Sequence, residues 1–88
     1  MQYRVEFSRQ ASRQMKKLDR QAILMIKAWV MKNLEGTTQP RWHGKALKGQ
    51  MKGLWRYRVG DYRLIAEIQD KVVTIVIVEV GHRREIYR

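Results

Sequence analysis

The segment LWRYRVGDYRLIAEIQDKVVTIVIVEV, residues Leu54–Val80, decides the fold of this 88-residue chain. It holds three runs rich in β-branched and aromatic residues, separated by Gly-Asp at 60–61 and Asp-Lys at 70–71. Gly-Asp between two alternating runs is typical of a two-residue β-hairpin turn. The segment predicts three consecutive strands in an antiparallel meander. Its last run, Val72–Val80, should lie inside the sheet because it is almost wholly apolar.

The residues before the meander predict one more strand and two helices. YRVEF, residues Tyr3–Phe7, alternates apolar and polar side chains as a half-buried strand does. Ser8 and Asp19 each precede helical apolar spacing and predict N-caps, with the second helix running over Arg20–Glu35. Because the joint between the helices is short, we expect an αα-hairpin that covers the apolar face of the sheet.

The predicted fold class is therefore α+β, with a helical hairpin packed on a small antiparallel sheet. The expected order is β-α-α-β-β-β, followed by a short C-terminal tail that turns away from the last strand at Gly81. Residues Gly36–Gly53 hold the only proline and predict an irregular basic connector, with at most one helical turn. The length predicts a single domain over residues 1–88.

The charge balance is the strongest global signal. The chain has 19 Lys and Arg against 8 Asp and Glu, a net charge of +11. Such a chain is attracted to polyanions, so nucleic acid is the leading partner, ahead of an acidic protein and an anionic membrane surface. There is no cysteine and no apolar run near the ~20 residues of a membrane span, so we expect a cytoplasmic protein without a membrane segment.

Arg56, Arg58 and Arg63 form the first candidate site. Residues two apart in a strand share a face, so Arg56 and Arg58 should project together. The turn at 60–61 pairs Arg58 with Arg63, and like charges directly opposite each other destabilise a sheet. A phosphate backbone reverses that penalty, because guanidinium groups match phosphate oxygens in a bidentate fork. The alternative is a solvated sheet face, relieved by nearby Glu67.

The tail VGHRREIYR, residues 80–88, is the second candidate site. It should place His82, Arg83 and Tyr87 at the end of the last strand. Imidazole is the usual general acid or base near neutral pH, and tyrosine can stack on a base or donate its hydroxyl. The alternative is a solvated chain end.

An aromatic and a histidine within the basic connector form the third candidate site. Trp42 could stack on a base beside these cations, or it could enter a small satellite core. The candidate RNA- or ribosome-contacting residues are Arg41, Trp42, His43, Lys45, Lys48 and Lys52. The acids are scattered without paired carboxylates, and the two histidines are far apart, so we expect no metal site and no cofactor.

The chain has a clear family resemblance. It is carried by three stretches, LKG, GLWRYRVGDYRL and VGHRREIYR, and by the helical segment SRQASRQMKKLDRQAILMIKAW. The chain resembles the RelE toxins of bacterial and archaeal type II toxin–antitoxin systems over nearly its whole length. The resemblance implies a metal-independent, ribosome-dependent messenger RNA endoribonuclease that cuts codons in the A site, in contact with ribosomal RNA. It also implies an acidic antitoxin that blocks the toxin, with operator DNA bound only through that antitoxin.

The resemblance further implies active-site residues. The matching positions are Arg56, Arg58, Arg63, Arg83 and Tyr87. Some relatives carry lysines at the positions of Arg56 and Arg58, one of them a candidate base, whereas arginine is a poor base. This departure leaves the general base open, with His82 as a candidate for base or acid.

Two other functions share parts of this pattern. A ParE-like toxin would have the same fold but would act on DNA gyrase without cutting RNA. A non-catalytic RNA- or DNA-binding module would use the +11 charge alone. The arginine and tyrosine pattern favours the RNA-cleaving interpretation.

Overall fold

The structure, a computed structural model, describes residues 1–82 and confirms the predicted α+β fold class. A helical hairpin packs on a five-stranded sheet, and the predicted order of elements is kept, with one added two-residue strand in the connector. The elements are β1 Arg4–Phe7, α1 Arg9–Lys16, α2 Arg20–Asn33, β2 Lys45–Ala46, β3 Trp55–Val59, β4 Tyr62–Gln69 and β5 Thr74–His82, with 3₁₀ turns at Gly49–Met51 and Asp70–Val72.

The sheet has the strand order β1-β5-β4-β3-β2. The meander β3-β4-β5 is antiparallel as predicted, and β5 has a neighbour on both sides. β1 pairs with β5 in parallel, so the sheet is mixed and not purely antiparallel. No tight turn joins β1 to β5, because the helical hairpin and the rest of the meander separate them. The direction of β1 is therefore set by how the chain crosses the sheet face.

Both predicted helix N-caps are confirmed. Ser8 Oγ accepts a hydrogen bond from the Ala11 amide at 3.0 Å, and Asp19 Oδ1 accepts one from the Ala22 amide at 2.8 Å. Helix α2 ends at Asn33, two residues before the predicted end. The chain leaves it through Gly36, whose positive φ of 80° suits glycine.

The hydrophobic core lies between the helices and one face of the sheet. Along β3 and β4 the core residues alternate with residues that face away from the helices, as strand geometry requires. None of the helices within residues 1–82 is long and apolar enough to span a membrane. The core comprises Ala11, Met15, Ile26, Val30, Leu34, Tyr57, Val59, Leu64, Ala66, Ile75, Ile77 and Val80.

The predicted turn at Gly81 is wrong. β5 continues through Gly81 to His82, and these two residues pair with Arg63 and Tyr62 of β4. The reason is that the partner strand begins at Tyr62, so its backbone groups remain available to hydrogen-bond β5 beyond Val80. Gly81 is an ordinary strand residue here, outside the set of glycines with positive φ.

Candidate functional site

The arginines of the meander lie on the sheet face that points away from the helices. Arg58 is directly opposite Arg63 in the β3–β4 ladder, which confirms the predicted register. Arg56 is opposite Ile65 on one side and Lys45 of β2 on the other. Four cationic side chains from three adjacent strands are therefore brought to one part of the molecule.

These arginines differ in their surroundings. Arg63 is 8% exposed, and neighbouring Ile65 on the same face is fully buried, whereas Arg58 is exposed. β4 has neighbours on both sides, and the residue opposite Arg63 on β5 is Gly81, which leaves room for a long side chain. Arg63 is therefore held in place by packing, and Arg58 is accessible to a ligand.

A groove of about 330 Å³ lies at the outer edge of β3. It forms because β2 pairs only with Trp55 and Arg56, so its short ladder stops before Arg58. The groove brings together parts of α2, the connector and β3 that are far apart in sequence. Its lining residues are Trp29, His43, Gly44, Lys45, Arg56 and Arg58.

The connector is fixed against β3 at His43 and Gly44. The carbonyl of His43 accepts a hydrogen bond from Trp55 Nε1 at 2.6 Å, and the His43 ring contacts the Trp29 ring edge-on at 5.6 Å. Gly44 has a φ of 85°, and a Cβ there would overlap the carbonyl oxygen of Arg56. The wall of the groove therefore requires glycine at this position.

Arg41 makes an ion pair away from the groove. Its guanidinium donates to both carboxylate oxygens of Asp70, at 3.2 and 2.9 Å, and the Tyr3 hydroxyl donates to the same carboxylate at 2.6 Å. The hydrogen bond from Arg41, followed by that from Tyr3, lowers the pKa of Asp70. Arg41 thus ties the connector to the first residues of the chain and to the β4–β5 turn.

The buried Tyr57 holds the same part of the connector from the side of the hydrophobic core. Its hydroxyl donates to the carbonyl of Pro40 at 2.5 Å, and burial raises the pKa of this hydroxyl. Its ring also contacts Trp29 at 5.7 Å. No local signal in the sequence shows that Tyr57 and Trp29 both support the groove.

The other connector residues remain accessible. Trp42 is 76% exposed, so the satellite-core alternative is wrong. Lys45 lines the groove, and Lys48 and Lys52 are exposed at the two ends of the 3₁₀ turn.

Within residues 1–82, His82 lies on the other face of the sheet from Arg56, Arg58 and Arg63. It pairs with Tyr62, whose ring it contacts edge-on at 5.7 Å, and Tyr62 packs against the helix-covered core. Arg63, the next residue of β4, projects from the opposite face. Arg83 and Tyr87 lie outside the described residues. Among residues 1–82, no group of three or more His, Asp or Glu side chains could hold a metal ion.

The comparisons with known proteins agree with this architecture. The family model described as ParE toxin of type II toxin–antitoxin system, parDE, matches residues 5–87. The chain is 34% identical to Toxin RelG of Mycobacterium tuberculosis over 88 residues, covering 100% of this chain and 99% of that protein.

Solved structures show the same fold. The M. tuberculosis toxin–antitoxin complex RelBE2 matches with a TM-score of 0.85 and 31% identity, over 94% of this chain and all of that chain. The RelE–RelB complex of the archaeon Pyrococcus horikoshii matches with a TM-score of 0.69 and 26% identity, over 94% and 97% of the two chains. The intact RelBE complex of E. coli has a TM-score of 0.68 and 22% identity, over 91% and 95%.

Proposed function

The chain belongs to the RelE/ParE superfamily of type II toxin–antitoxin toxins, and from this premise we propose that it is a ribosome-dependent messenger RNA endoribonuclease. Residues 1–88 act as a single toxin domain that enters the ribosomal A site in the cytoplasm and cuts the exposed codon. The observation that carries the proposal is the convergence of Lys45, Arg56 and Arg58 in one groove at the end of the β2–β3 ladder, with Arg63 of β4 directly opposite Arg58.

The proposed reaction uses the nucleophile of RNA itself. The 2′-hydroxyl attacks the adjacent phosphorus, the bond to the 5′-oxygen breaks, and the products are a 2′,3′-cyclic phosphate and a 5′-hydroxyl. Such a reaction needs in-line alignment, proton transfer and neutralisation of the phosphorane charge, so neither metal nor cofactor is required. Arg56 and Arg58, which line the groove from β3, bind the phosphate as it reacts.

Arg63 supplies a second kind of contact. Because its side chain is largely buried, its guanidinium is preorganised and loses little conformational freedom when charge develops on the phosphate. Arg83 and Tyr87, which the family resemblance assigns to the active site, complete the proposed set. Arg83 adds charge stabilisation and Tyr87 orients the nucleotide.

The connector supplies proposed contacts to ribosomal RNA and messenger RNA. Trp42 is an exposed aromatic that can stack on a base, flanked by His43, Lys45, Lys48 and Lys52 for phosphates. Arg41 was expected to join them, but its ion pair with Asp70 gives it a role in holding the connector instead. The net charge of +11 matches a polyanionic particle such as the ribosome.

An acidic antitoxin is the proposed protein partner. The structural relatives of this chain include toxin–antitoxin complexes, and a charge of +11 favours an acidic wrapping segment. The antitoxin would cover the basic groove and would bring the complex to operator DNA, which the toxin would contact only through its partner.

A gyrase poison is the second candidate, because the matching family model is that of ParE toxins. Adding the purified protein to a translating system and mapping RNA ends separates the two. Codon-phased cuts in messenger RNA support the endoribonuclease. Intact RNA together with trapped gyrase supports the ParE-like toxin, and RNA binding with neither effect leaves a non-catalytic module.

A further inference from the structure

The basic groove contains a side chain suited to proton transfer. Cleavage by the 2′-hydroxyl requires a group that takes the hydroxyl proton as the new bond to phosphorus forms. The Arg56 and Arg58 guanidiniums stay protonated, the Lys45 side chain has no acceptor in its charged ammonium form, and the Trp29 indole is a donor only. Of the six described residues that line the groove, His43 alone carries an imidazole, the side chain that enzymes use most often as a general acid or base.

The position of His43 is determined by three independent contacts. The Trp55 indole holds its carbonyl, the Trp29 ring contacts its imidazole, and Gly44 brings the main chain against the Arg56 carbonyl. Two tryptophans from different elements thus fix a histidine that belongs to an irregular connector. A group held this way can be preorganised for a reaction in the groove.

Among residues 1–82, the charges that line the groove come from two strands. β2 contributes Lys45, and β3 contributes Arg56 and Arg58, whereas α2 contributes only the uncharged Trp29. Within residues 1–82, no carboxylate belongs to the groove wall. The other histidine, His82, packs against Tyr62 on the helix side of the sheet.

We propose, on the basis of the endoribonuclease function above, that His43 is the catalytic residue that accepts the 2′-hydroxyl proton. As the proton moves to the imidazole, the 2′-oxygen bonds to phosphorus and the bond from phosphorus to the 5′-oxygen breaks. The departing oxygen takes a proton from water, and the imidazolium returns its proton to solvent. This role assigns proton transfer to the connector and not to His82, which the sequence offered as a candidate base or acid while leaving the general base open.

The test is single-turnover cleavage on programmed ribosomes over a range of pH. We expect His43→Gln to lower the rate by roughly 10²–10⁴-fold, the usual contribution of general acid–base catalysis. The wild-type rate should rise with pH because the reaction consumes the unprotonated form of a base, and His43→Gln should lose this dependence. His43→Ala should recover activity when imidazole is added to the solution, which a merely structural role would not produce.

The outcomes separate this inference from the proposed function. If the wild type cuts codons and His43→Gln cuts at the same rate with an unchanged pH profile, His43 is not the base, although the endoribonuclease function stands. A loss of the pH dependence in His82→Gln alone also overturns the assignment. If the wild type leaves RNA intact on the ribosome, both proposals fail together. Melting curves for each variant exclude loss of folding as the cause.

Discussion

Arg58 and Arg63 lie directly opposite each other on β3 and β4, yet Arg58 is exposed and Arg63 keeps only 8% of its surface exposed. Two like charges directly opposite each other in a ladder oppose folding. Here the Arg63 side chain is buried, whereas the Arg58 side chain is exposed to solvent. The difference arises because β2 ends before Arg58, whereas β4 is flanked by strands on both sides.

Replacing each member of this pair should therefore have different effects on stability. Arg63→Ala removes a buried stem and should lower the free energy of unfolding by about 1–3 kcal/mol. Arg58→Ala relieves repulsion and should leave it unchanged or raised. Both should reduce RNA cleavage by roughly one to three orders of magnitude, as expected for loss of one charge contact in the transition state. Urea denaturation and ribosomal cleavage assays measure the two effects. Equal stabilities for the two variants would contradict the assigned difference in packing.

Gly44→Ala should be the most damaging glycine substitution in the connector. The added Cβ meets both an unfavourable positive φ and the carbonyl of Arg56, so we expect a loss of about 2–5 kcal/mol and a displaced groove wall. Gly49→Ala is the matched control, because Gly49 also has positive φ but a Cβ added there would meet nothing within 4 Å. It should lose only about 1–2 kcal/mol. Similar losses for both variants would show that the close approach to β3 is unimportant.

Asp70 should make the protein sensitive to acid. Its pKa is lowered in the folded state by Arg41 and Tyr3, so its contribution to stability is present above its ordinary value of 3.8 and is lost as the pH falls through the lower folded value. Asp70→Asn should therefore be less stable than the wild type near neutrality and should lose less stability on acidification. Thermal unfolding between about pH 6 and pH 2, a range that extends below the ordinary pKa of the carboxyl, measures this. Asp61→Asn, at the hairpin turn, is the control. The prediction fails if both variants show the wild-type acid dependence.

Trp42 should contribute to RNA contact and not to folding. Its side chain is 76% exposed, so Trp42→Ala should leave the melting temperature unchanged. Loss of one stacking partner should weaken ribosome or RNA binding by about 1–3 kcal/mol, which is roughly 5- to 150-fold. Met31→Ala removes another exposed apolar side chain, 64% exposed on α2 and outside the groove, and should change neither property. Equal affinities for the two variants would place Trp42 outside the interface.

The sequence by itself determined the local elements of the fold. The caps at Ser8 and Asp19 and the pairing of Arg58 with Arg63 were all predicted correctly. Each depends on side-chain and backbone interactions within a few residues, so the physical cause is contained in the segment itself. The expectation of a basic surface followed in the same way from composition.

Only the tertiary structure decided which of the candidate residues meet. Strand alternation assigns a face only when the extent and register of the strand are known. Because β5 continues through Gly81, His82 lies beside Tyr62 and not in a turn after the strand. Trp29 lies on α2 and His43 lies in the connector. Their rings meet in the groove although the end of α2 and the first part of the connector separate them in the sequence. Arg41 forms an ion pair with Asp70, 29 residues further along the chain. Tertiary packing, and not a local sequence pattern, brings their charged groups into contact.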